Sequence, residues 1–116
     1  MKDSKIWVVT IDFTSIDHDI LKYAKYLSSI YKPKKINFVH IQKESDIPAY
    51  YREEFEGLKD ALLIDEKLKL EHRVKKYFTD NSIPFECHIS SGLPFQEVIN
   101  LVVREFAGLV IAGRKK

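Results

Sequence analysis

Gly108-Leu-Val-Ile-Ala-Gly-Arg-Lys-Lys116 sets four apolar residues between two glycines and adds three cations. Leu109 to Ala112 run without a polar interruption, the pattern of a parallel strand covered on both faces. Gly113 stands where that strand ends. Ligands of open parallel sheets bind just beyond the carboxyl ends of the strands, so Gly113 marks the mouth of an expected crevice.

Upstream, Phe95, Val98, Ile99, Val102, Val103 and Phe106 recur at helical spacing. Ser90-Ser-Gly-Leu-Pro94 reads as a turn and a helix start, and Phe85 to Ile89 as a strand. Ala49 to about Asp80 is a long helical stretch. Leu58, Leu62, Leu63, Leu70, Val74, Tyr77 and Phe78 form its apolar side, and Gly57 weakens it. Ile36 to Ile41 is another strand. Ile16, Ile20, Ala24, Leu27 and Tyr31 make one helical stripe before Pro33. Thr14 or Ser15 is placed to cap that helix, with Asp17 near its positive end. Ile6 to Ile11 is the first strand, β-branched and apolar.

Strands alternate with helices through the whole chain. That order specifies a three-layer α/β domain, an open parallel sheet with helices on both faces. Right-handed crossovers give the strand order 3-2-1-4, with the switch point between the first and fourth strands. Asp12 and Gly113 both fall at that crevice. With 116 residues the chain is sized for one domain, spanning 1–116.

Composition excludes several function classes. A net charge of +2, with basic clusters only at Lys32-Pro-Lys-Lys35 and Arg114-Lys-Lys116, lacks the basic stripe with interleaved aromatics of a nucleic-acid binder. No apolar run is long enough to span a bilayer, and Met1-Lys-Asp-Ser-Lys5 has no signal-peptide pattern. A cytoplasmic protein without nucleic-acid or membrane partners is expected. Cys87, the sole cysteine, sits in a strand-like run and reads as a buried, inert thiol.

Asp12 is the one carboxylate at the expected crevice. It suits a polar contact to a sugar or base, and equally the capping of the first helix or the ordering of its own turn. Gly113 suits close approach of a phosphate, although neither Gly-x-Gly-x-x-Gly nor a Walker loop occurs. His18, His40, His72 and His88 lack metal-site spacing, so no metal is expected. Ser90 and Ser91 read as cap or turn residues. No activated nucleophile is identifiable, so no catalytic residue is assigned and the chain is read as a non-enzyme.

Ile6-Trp-Val-Val-Thr-Ile-Asp-Phe-Thr-Ser15, Phe38-Val-His-Ile41, Gly92-Leu-Pro94 and Leu109-Val-Ile-Ala-Gly-Arg114 together resemble, in order and spacing, the universal stress protein (UspA-like) family. The resemblance implies an adenine-nucleotide alpha hydrolase-like fold, a cytoplasmic protein in stress response or signalling, and often a dimer. Some members bind ATP. On their pattern Asp12 contacts the nucleoside, the backbone at Ile41 meets the adenine, and Gly113 opens the phosphate loop. Here Lys116 occupies the place of that loop's second glycine, and the rest of the loop and the fifth strand are absent. The expectation is therefore a module that works by protein interaction, with no cofactor. The open edge of strand four would serve self-association or a partner strand. A sensor of ATP or AMP with a degenerate phosphate loop is the alternative.

Overall fold

Ile6–Thr10 (β1) carries the run Ile-Trp-Val-Val-Thr, and its three central residues are buried, as suits β-branched and aromatic side chains between two layers. The computed structural model describes residues 5–42, 56–79, 83–91, 94–105 and 107–112. After β1 come α1 (Ile16–Tyr31), β2 (Lys35–Gln42), α2 (Glu56–Lys75), β3 (Phe85–Ser91), α3 (Pro94–Glu105) and β4 (Leu109–Ile111). The strands pair in parallel in the order β3-β2-β1-β4. This is the expected three-layer α/β sheet, with β1 and β2 central.

Strand alternation divides the core in two. On one face Trp7, Val9, Ile36, Phe38 and Cys87 pack with Leu21 and Ala24 of α1 and Leu70 and Val74 of α2. Phe38 meets Phe78 and Phe85 edge-on at centroid distances of 5.2 and 5.8 Å, a favoured aromatic geometry. On the other face a smaller group, Val8, Val39 and Leu101, holds α3 to the sheet.

Several boundaries differ from the sequence expectation. The stripe of α1 is centred on Leu21 and Ser28, both fully buried. Tyr31, the last helical residue before left-handed Lys32, stands outside the core. α2 ends at Lys75, because the Tyr77 and Phe78 amides both turn back to the Val74 carbonyl, which lets Phe78 enter the core. Ala49, Leu58, Leu62, Leu63 and Gly57 were expected to shape this helix; Ala49 and the side chains from 56 to 63 lie outside the described residues. Ser90 and Ser91 are strand residues opposite Ile41 and Gln42, not caps. The ladder offered by the long β2 outweighs their local turn preference.

The run Leu109–Ile111 is not covered on both faces. Val110 is 42% exposed, and β4 pairs only with β1 among the described strands. No described helix is long and apolar enough to cross a membrane.

Candidate functional site: the carboxyl end of the sheet

At the end of β1 the Ile11 amide still reaches the Val39 carbonyl, 2.9 Å away. Beyond it Phe13 takes a left-handed conformation, φ 61°, which a bulky residue adopts only when its surroundings enforce it. Asp17 supplies the enforcement. Its fully buried carboxylate accepts the amides on either side of Phe13, Asp12 N–H at 2.9 Å and Thr14 N–H at 3.2 Å. Arg73 of α2 completes the set, donating from Nη1 to Asp17 Oδ2 at 3.3 Å and to the Thr14 carbonyl at 3.4 Å. A buried charge is tolerated when it is paired and hydrogen-bonded in this way.

The expected caps do less. Ser15 occupies the N-cap in α-helical conformation and makes no side-chain cap bond. Thr14 Oγ1 only reaches the Ile16 amide, at 3.4 Å. The turn belongs to Asp17, two residues into the helix.

The Phe13 ring lies against His40 at 4.1 Å between centroids. The Lys69 ammonium stands 4.4 Å above the ring, and the Arg73 guanidinium 5.5 Å from it. His40 donates from Nδ1 to the Ile11 carbonyl at 2.7 Å, which fixes the tautomer because a carbonyl only accepts. The ends of β1 and β2 are thus tied together through a backbone and a side-chain bond.

Asp12 is exposed here, and its carboxylate makes no bond to a described residue. It does not order its own turn; only its amide takes part. Asp12 lies two residues past the end of β1, whose last paired residue, Thr10, stands opposite Val39, and Ile41 lies in the part of β2 that runs on beyond that pair. Ile41 is half-buried and packs on the α3 side beside the Val8, Val39 and Leu101 group. Gly113 lies outside the described residues.

A second polar cluster, between the sheet and α3, escaped the sequence reading. Asn37 is fully buried in the middle of β2. It donates from Nδ2 to Glu105 Oε1 at 3.4 Å and accepts from His88 Nε2 at 3.0 Å. Lys35 Nζ pairs with Glu105 at 3.0 Å and Glu86 at 3.1 Å. The Lys35 bond holds the Glu105 carboxyl below its ordinary range, and the Glu105 bond raises the Lys35 ammonium. Burial lowers the His88 imidazole. The only sequence signal was parity. Lys35, Asn37 and Val39 share one face of β2, and Glu86 and His88 share one face of β3.

Cys87 is buried, and desolvation pushes its thiol up to about 12. No group of three potential metal ligands exists among the described residues.

No family model and no curated protein matches the chain in sequence. Solved structures match it in fold. The universal stress protein UspA from Lactobacillus plantarum superposes with a TM-score of 0.75 at 15% identity, covering 99% of this chain and 80% of that one. Hypothetical protein MJ0577, the subject of a structure-based assignment of biochemical function, gives 0.73 at 21% identity, covering 94% and 74%. A universal stress family protein from Burkholderia pseudomallei gives 0.59 at 13%, covering 96% and 82%. The chain thus has the fold of universal stress protein structures, as its sequence resemblance implied.

Proposed function

We propose that the protein is a cytoplasmic module of the universal stress type. It acts in stress response or signalling by protein association, without catalysis and without a required cofactor, and a second copy of itself is the partner at β4. The observation that carries this is the open edge. β4 is paired on one side only among the described strands, and such an edge is a template for another strand. Apolar surface continues beside it on the α3 side of the sheet. Val110, in register with Val8, is 42% exposed, and Ile99 and Val103 of α3 are 39% and 68% exposed. Light scattering across a concentration series tests the reading. Growth of the mass toward a dimer is expected, and a strictly monomeric mass at high concentration sinks it.

A second reading, an ATP or AMP sensor, draws support from Asp12. Its carboxylate has no partner among the described residues and stands beside a strained turn at the carboxyl end of the sheet, where such folds bind ligands and where strain is often stored for function. Calorimetry decides it. Heat with ATP or AMP that is lost in Asp12→Ala supports it, and no heat at millimolar nucleotide removes it.

A further inference from the structure

We infer that the groove between the start of α1 and the C-terminal half of α2 binds a small phosphate-bearing anion. The groove encloses about 220 Å³, where a single water requires about 10–15 Å³. It is lined by Lys69, His72 and Arg73 of α2, by Lys76 just past that helix, and by Thr14 and Ser15 from the β1–α1 turn. None of its lining residues is a carboxylate.

Lys69, His72 and Arg73 stand at positions i, i+3 and i+4 of α2, which places them along one face, and Lys76 reaches the same groove from the turn that follows. Like charges so spaced repel, and the groove walls supply no carboxylate to relieve them. Asp17 balances Arg73. It and the Thr14 carbonyl engage only Nη1, so the guanidinium keeps further donors in a fixed fork. Lys69 rests over the Phe13 ring, a contact that orients the ammonium without neutralising it. Lys76 and His72 make no ion pair or hydrogen bond with a described residue. Ser15 makes no cap bond, which leaves its hydroxyl as a donor. A fixed guanidinium, ammonium groups with no ion pair among the described residues and a hydroxyl around one small space are the donor set for phosphoryl oxygens. Glu71 does not interrupt the set, because it lies on the Cys87 side of α2.

Inorganic pyrophosphate at low ionic strength is the probe, followed by amide NMR titration. Saturable shifts centred on Thr14, Ser15 and residues 69–76 are expected. Lys69→Ala with Lys76→Ala should weaken binding about tenfold or more. Lys67→Ala with Lys75→Ala removes the same charge from lysines that do not line the groove, and should change binding less than about twofold. Equal losses in the two pairs would reduce the effect to diffuse charge and overturn the site, as would the absence of saturation. Asp12→Ala should leave pyrophosphate binding unchanged. Binding tightened severalfold there, as the removal of an adjacent carboxylate would produce, would move the anion to the crevice beside Asp12 and overturn the groove, so this test stands apart from the nucleotide reading.

Discussion

Phe13 would cost about 1–3 kcal/mol in its left-handed geometry if nothing held it. Asp17 binds the amide before it and the amide after it, and is itself answered by Arg73. Asp17→Asn replaces one acceptor oxygen with a donor facing a donor. It should destabilise the fold by about 3 kcal/mol, read as a lower urea midpoint at unchanged slope. Cys87 makes a second expectation at this scale. With its thiol held near 12 by burial, it should resist a thiol reagent at neutral pH in the native protein and react once denaturant unfolds it. Cys87 was legible from its strand setting. The role of Asp17 was legible only in part. Its place near a helix start is visible in sequence, but Arg73 lies 56 positions away and no local pattern announces that pairing.

Between elements, the described contacts of the sheet with α3 are a small apolar group and a polar cluster, so pH acts there. His88 donates to buried Asn37 as a neutral imidazole, and burial holds it below its ordinary 6.5. In the unfolded chain it takes a proton more readily than in the fold. Stability should therefore fall as pH drops below about 6.5. Glu105 is lowered by Lys35, so its contribution is present above its ordinary 4.5 and is lost as pH falls below that. Lys35 is raised by Glu105, and its contribution disappears only as pH climbs past its ordinary 10.5. Thermal melting between pH 8 and pH 5 checks the first term, and His88→Gln should flatten that slope. Elements with strong periodicity, β1, α1 and α3, were readable from sequence. Ser90 and Ser91 were not, because a strand lengthened by its neighbour's ladder leaves no trace in its own residues. Asn37 reads as an oddity in an apolar strand until α3 places Glu105 against it.

For the whole molecule, the strand order followed from alternation and handedness, since right-handed crossovers leave few windings for this sequence of elements. The open edge of β4 was already expected from the family resemblance; the exposure of Val110 was not, because an apolar run states what a residue prefers and not whether both faces are covered. Val110→Lys puts a charge on that edge in the way natural edge strands avoid pairing. It should change the stability of the single chain by no more than about 0.5 kcal/mol, as for exposed sites generally. The same change should hold the protein as a monomer in light scattering at concentrations where the unaltered chain associates.

One carboxylate, that of Asp17, serves donors from the β1–α1 turn and from α2. Such a junction has no half-open form, since releasing Phe13 frees both amides and strands the arginine together. Hydrogen exchange should register this as a single opening event. The Asp12 and Thr14 amides should share one protection factor, and Asp17→Asn should lower both by the same ratio. Asp12 belongs to a residue open to solvent, yet its amide should exchange as slowly as its buried partner allows, a quiet proton beneath an exposed side chain.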